Sequence, residues 1–336
     1  MTNNAAAPSR KPRRRGLLAP FVVLLIVALA WSLGWFWLRG QVEQRMDATA
    51  LSMKSRGYDL SWETRTFSGF PFRMDITLTD ARVAEPSGWA LRAPRLKGEA
   101  NAYSLGHWVV VAPAGVVMTR PINGDVTITG QALRASFAGF DKYPPRISVE
   151  GANLLFTPAA GAAPFPLLST AGLVLHIVPG PDDQAAILFK ADGAKAQFTG
   201  LLGRIAQDRT AALMWDIRLS KVSALRGTSW ADAVRDWSQA GGALSVQQGK
   251  VKAGEALLDA KTGALTVGEN GRLQGALDVT VRETPTPGQA LQSPEAAAAA
   301  VAQALGRDPE ISATLKFENG RTRLGLFDTG PSPRVY

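Results

Sequence analysis

From Leu17 to Leu38 the chain runs for 22 residues without a charged side chain, and no other segment limits the molecule so sharply. A helix of that length rises about 33 Å at 1.5 Å per residue, enough to cross the hydrocarbon core of a bilayer. Arg10, Lys11, Arg13, Arg14 and Arg15 precede it, and only Arg39 closely follows. By the positive-inside rule these five bases are the topology signal: residues 1–16 form a basic cytoplasmic tail, 17–38 the transmembrane helix, and the remainder lies across the membrane. Trp31, Trp35 and Trp37 gather at the far end, where an indole keeps its ring in the interface and its N–H in water, so they read as interface anchors. The alternative is a cleaved signal peptide, with Ala28-Leu29-Ala30 as the cleavage site. Apolar sequence continues eight residues past that point, longer than an ordinary signal core.

Charge and composition then exclude several function classes. The net charge is +9, but with the five tail bases set aside, 32 bases face 28 acids beyond Leu38, with no basic block. Nucleic-acid binding needs a concentrated basic stripe to displace counterions from phosphates, and none is present. The absence of cysteine removes disulfides, thiolate catalysis and cysteine metal sites.

Beyond the membrane segment, Val42, Met46, Ala50 and Met53 recur at helical spacing, and Gly57 follows as a stop; a membrane-proximal helix is expected over 39–57. The period then changes to two. Met74, Ile76 and Leu78 alternate with Arg73, Asp75, Thr77 and Thr79, and the pattern returns at Leu213–Leu219, Leu277–Val281 and Ile311–Phe317. Asn123-Gly124, Asn270-Gly271 and Asn319-Gly320 fall between such runs and supply the positive φ angles of two-residue hairpin turns. The fold class is mainly β, α+β in detail. Residues 58–336 are expected to form one large curved antiparallel sheet whose dry face is covered by one or two helices. The first helix runs from a Thr228 or Ser229 cap through Trp237 to Gly241-Gly242; the second starts at Ser293-Pro294-Glu295 and ends at Leu305. Thr157–Pro166 and Glu283–Gln292 read as loops.

Candidates for chemistry are few. His107 and His176 both fall in strand-like runs and are expected to be partly packed, and no local motif supplies partners for a triad or a metal site. The acid pairs Asp182-Asp183 and Asp232 with Asp236 read as a turn and a solvated helix face. No cofactor site, metal site or catalytic residue is assigned. Ser68-Gly69-Phe70-Pro71-Phe72-Arg73 stands out instead: Gly69 and Pro71 bracket Phe70 and Phe72 just before the first clear strand. The expected structure is a fixed corner tucking its rings under the sheet edge, and the functional alternative is the lip of a lipid-binding groove.

At this motif the chain resembles a bacterial family called domain of unknown function 2125. The resemblance is carried by the order basic tail, anchor, helix, Trp62-Glu63 and Ser68–Arg73, and by the ending Gly330-Pro331-Ser332-Pro333-Arg334. It implies no biochemical activity. It does imply a place in the envelope of a Gram-negative-type bacterium, anchored in the inner (cytoplasmic) membrane with the main domain in the periplasm. The expected function is a non-enzymatic module that binds a lipid or an envelope partner. The alternatives are a scaffold for an envelope complex and, third, a hydrolase using carboxylates or a histidine.

Overall fold

The computed structural model describes residues 15–197, 203, 209–282, 310–325 and 327–336. Arg10, Lys11, Arg13, Arg14, the helix expected from Ser293 to Leu305 and the loop Glu283–Gln292 therefore lie outside the described residues. Helix α1 (Arg15–Lys54) takes in both the apolar run and the stretch expected as a separate membrane-proximal helix. The helix runs on through Gly40 at their junction, and its 40 residues extend over about 60 Å. Its C-terminus is closed by a Schellman motif. Tyr58 N–H donates to Met53 C=O and Gly57 N–H to Lys54 C=O, both at 3.0 Å. Gly57, at φ +83°, takes the left-handed position that a side chain would strain.

After α1 the strands among the described residues, eighteen in all, build a single antiparallel sheet. At one edge, β1 (Asp59–Ser61) and β2 (Thr64–Ser68) share one side of β3 (Arg73–Ala84), and β4 (Ala90–Asn101) takes its other side. β5 (Ser104–Val111) and β6 (Val116–Arg120) then share β4, and pair in turn with β8 (Ala132–Ala138) and β7 (Gly124–Thr129), which share β9 (Arg146–Pro158). From there the chain is a plain meander. β10 (Leu167–Pro179), β11 (Ala185–Ala196), β12 (Ala211–Leu219), β13 (Leu244–Ala253) and β14 (Ala256–Val267) each pair with the strand before. So do β15 (Leu273–Arg282), β16 (Glu310–Glu318), β17 (Arg321–Leu324) and β18 (Phe327–Pro331).

Where the sequence alternation slips, the backbone bulges to keep apolar residues on one face. Val246 and Gly249 are three residues apart, yet both turn inward, because a bulge opposite Asp216 and Ile217 sends Gln247 and Gln248 outward together. A second bulge places Lys261 and Thr262 outward and returns Gly263 to the face of Ala260.

Of the three Asn-Gly pairs, only Asn319-Gly320 makes a two-residue hairpin, with φ of +52° and +74° and Glu318 directly opposite Arg321. The other two lie in wider loops, of three residues between Arg120 and Gly124 and of five between Val267 and Leu273. In each of these loops the glycine alone takes positive φ. Loop length, not the dipeptide, sets the turn type there.

Helix α2 (Trp230–Gln239) is capped as expected by Ser229, whose hydroxyl accepts from Asp232 N–H. Its Val234 and Trp237 pack on Val267 at one end of the sheet. The segment leading into it reaches back to the part of the chain before β9: Tyr143 O–H donates to Leu225 C=O at 2.5 Å, Tyr58 O–H to Gly227 C=O at 3.4 Å, and Trp230 N–H to Glu85 at 3.0 Å. These bonds tie the two halves of the curved sheet together.

Candidate functional site

Directly opposed residues on neighbouring antiparallel strands share a face, so the register shows what that face carries. One row passes from Ile76 through Gly98, Val110, Ala135, Val149, Leu175, Phe189, Trp215, Gly249, Ala260 and Val279 to Ala313 without meeting a polar side chain. A second runs from Trp108 through Phe137, Ile147, Ile177, Ile187, Ile217, Val246, Gly263 and Leu277 to Leu315 and Leu324. Two adjacent apolar rows therefore cross the sheet from β3 or β5 to β16 or β17.

Curvature makes this face a trough with two wide sections. In the first, a cavity of about 950 Å³ lies between Val42 and Met46 of α1 and Ile76, Leu78, Val110 and Phe137 of the sheet. The second, about 690 Å³, is lined by Trp215, Val246, Leu277 and Phe317 and is bordered by Pro331, Ser332 and Pro333. The first is at the upper end of the volumes used for small-molecule sites. Gly249 makes room in the second section, since a Cβ there would sit 2.3 Å from the Trp215 ring.

Arginines stand among the lining of both cavities, Arg272 and Arg334 at the second. Arg45 of α1, Arg82 and Arg92 border the first cavity. Arg82 pairs with Asp59 and Arg92 with Asp80, whereas exposed Arg45 has no acidic partner within ion-pair distance among the described residues.

The helix is fixed over this trough at two places. Arg65 on β2, its side chain only 12% exposed, bonds Asp47 Oδ1 at 2.7 Å and Glu43 Oε1 at 2.9 Å, with its guanidinium over the Trp62 and Phe67 rings. The second place is the turn Gly69–Phe72. Trp31 Nε1–H donates to Pro71 C=O and Trp35 Nε1–H to Arg73 C=O, both at 2.9 Å. Phe70 meets Trp35 edge-on at 5.5 Å and stacks on Phe36 at 5.9 Å, while Phe72 lies 6.2 Å from Trp31. Gly69 has φ +92°, and a Cβ there would come 2.8 Å from Arg73 O; the Phe70–Pro71 bond is cis.

These contacts correct two expectations. The turn is a corner, but its rings are not tucked under the sheet: they face α1 and the surroundings, because the helix offers an aromatic ladder at that level. The Trp31 and Trp35 N–H groups are spent on backbone carbonyls rather than on water; Trp35 is 5% exposed, and only Trp37, 67% exposed, stands clear of the domain. Gly69, Phe70, Pro71 and Phe72 do not line either of these two cavities. Arg15 opens α1.

His107 is exposed, against expectation, because its strand turns Trp108 inward and His107 outward. His176, on the same polar face, bonds Ser148 Oγ through Nδ1 at 2.7 Å. No acid bonds either ring among the described residues. Asp182 and Asp183 form the turn after β10, both at positive φ, and Asp183 accepts from Ser223 Oγ and N–H. Those two bonds, the hydroxyl's first, hold its carboxyl below the usual range. Asp232 is likewise held low by the Ser229 and Thr228 hydroxyls and serves the helix cap. Among the described residues no group of three His, Asp or Glu side chains could hold a metal ion.

Arg45, Arg65 and Arg120 went unmarked in the sequence. Arg120, buried, donates to the carbonyls of Asn123, Gly124, Ala163 and Pro164 and ties the β6–β7 turn to the segment after β9. An arginine at a strand end carries no local signal of such use.

The class so defined is a β-rich trough protein behind an N-terminal helix long and apolar enough to cross a membrane. The chain belongs to the bacterial family described as "Uncharacterized protein conserved in bacteria (DUF2125)", whose model matches residues 35–333. No curated protein and no solved structure matches it. The match begins at Trp35, the residue bonded to Arg73, and ends at Pro333, whose carbonyl accepts from Leu273 N–H at 3.0 Å beside the second cavity.

Proposed function

We propose that this protein is a non-enzymatic, inner-membrane-anchored periplasmic module that holds the acyl chains of a lipid in its trough. The observation that carries this reading is the unbroken pair of apolar rows, open as a 950 Å³ cavity between α1 and the first strands. Burying a methylene from water is worth about 0.8 kcal/mol, so ten methylenes supply roughly 8 kcal/mol, a micromolar affinity against water. Against a bilayer, which is equally apolar, the same transfer is nearly neutral. Such a trough exchanges lipid with a membrane instead of trapping it. Arg45, exposed beside the first cavity and without an acidic partner among the described residues, suits an anionic headgroup.

The test is native mass spectrometry and lipid extraction on the full chain, purified gently from its own membranes. Near-stoichiometric acyl lipid is expected, and Val110→Trp, which fills the first cavity, should lower it several-fold without lowering Tm. An empty wild-type trough, or occupancy indifferent to Val110→Trp, rejects the reading.

A further inference from the structure

The helix and the sheet can be aligned level by level. Arg39, the first charge after the apolar run, lies over the Phe67 ring at 5.2 Å, so Phe67 stands at the height where the helix becomes polar. The chain then continues past Phe67 toward the apolar end of α1: Phe70 packs on Trp35 and Phe36, and Phe72 on Trp31. Trp31 lies seven residues inside Leu38, about 10 Å along the helix. The tip of the β2–β3 turn is thus held about 10 Å below the end of the apolar run, by two indole hydrogen bonds.

Its chemistry matches that depth. Gly69-Phe70-Pro71-Phe72 carries no charge, Phe70 is 50% and Phe72 63% exposed, and the neighbouring β4–β5 turn is bonded to it through Ala102 N–H to Phe72 C=O at 2.9 Å. That second turn presents Tyr103, 70% exposed. Charge resumes immediately above, where Arg73 pairs with Asp75 and Glu99.

We propose that the β2–β3 turn, with Tyr103 beside it, is a second membrane-insertion element: Phe70 and Phe72 sit in the leaflet from which the C-terminal end of the apolar helix emerges. The ligand is a lipid surface. Aromatic rings with apolar bodies and one polar tip are the side chains that settle at that depth. The wedge rests on the reading of α1 as a membrane anchor, and is independent of what the trough holds. It fixes the first strands upright on the bilayer.

The chain has no cysteine, so single cysteines report without background. Phe72→Cys, Tyr103→Cys and, at the opposite end of β3, Ser87→Cys are labelled with an environment-sensitive fluorophore. The full chain is reconstituted in phosphatidylethanolamine–phosphatidylglycerol vesicles containing nitroxide-labelled lipid. Ser87 is some 35 Å from the turn at about 3.3 Å per strand residue. Positions 72 and 103 are expected to emit to the blue and to be quenched several-fold more by the lipid nitroxide than position 87, with the reverse order for aqueous iodide. Vesicle-bound protein in which 72 and 103 behave like 87 overturns the wedge and leaves the anchor standing. Protein that does not stay with the vesicles overturns both. Tyr103→Cys lies outside the clasp, so it reads depth even where Phe72→Cys weakens the packing on Trp31.

Discussion

The indole N–H of Trp35 meets the carbonyl of Arg73 at 2.9 Å across 38 residues of sequence, and it does so from within the apolar run of α1. That bond, with its neighbour from Trp31 to Pro71, joins the apolar part of the helix to the first hairpin. Trp35→Phe keeps most of the ring but leaves the carbonyl without its donor, at a cost of about 1–3 kcal/mol. Trp37→Phe, at an exposed ring, should stay within about 0.5 kcal/mol. Thermal unfolding of both variants in the same detergent separates the two roles.

Arg65 forms the other clasp. Arg65→Lys keeps the charge but loses the planar fork that spans Asp47 and Glu43 and stacks on two rings. The partners are half exposed, so screening limits the loss to about 1 kcal/mol. The expected signature is local: faster hydrogen exchange in residues 39–54 with the strands from β9 onward unchanged.

Gly249→Leu should be among the most damaging single changes in the sheet. Its Cβ would stand 2.3 Å from the Trp215 ring, and the added branch has no free volume except the second cavity. Overpacking of this kind costs about 1–3 kcal/mol. A lower urea midpoint is expected, with wild-type stability for Gly106→Ala, where nothing lies near the added methyl.

Asp183 supplies a pH dependence of known sign. Its carboxyl is held below the ordinary 3.8 by Ser223, so the unfolded chain binds a proton more readily than the folded one. The stabilisation is fully present above the unfolded value and disappears as pH falls through the lower folded value. Asp183→Asn keeps the left-handed turn and removes the charge. Urea curves should therefore separate wild type from variant at pH 7 and converge well below pH 3.8.

The sequence displays the sheet because a face that is dry on one side writes itself as alternation, and it displays the first part of α1 because an uncharged run of 22 residues is plain in the sequence. It conceals what two distant segments do to each other. Nothing local in Trp31 or Trp35 distinguishes an indole that faces lipid headgroups from one that bonds Pro71 or Arg73. Gln247-Gln248 breaks the alternation as a loop would, and only pairing with β12 reveals a bulge. The trough is legible strand by strand as apolar positions, yet its continuity depends on register, which regular alternation leaves open.

From β10 to β18 each strand pairs only with its sequence neighbours. Removing or duplicating one hairpin in that stretch restores the strand direction and leaves every other pairing available. Reach is therefore a quantity that can be changed in steps of two strands, about 10 Å at a time at the usual spacing between strands, while the cross-section stays as it is. A sheet built this way is lengthened or shortened by counting hairpins.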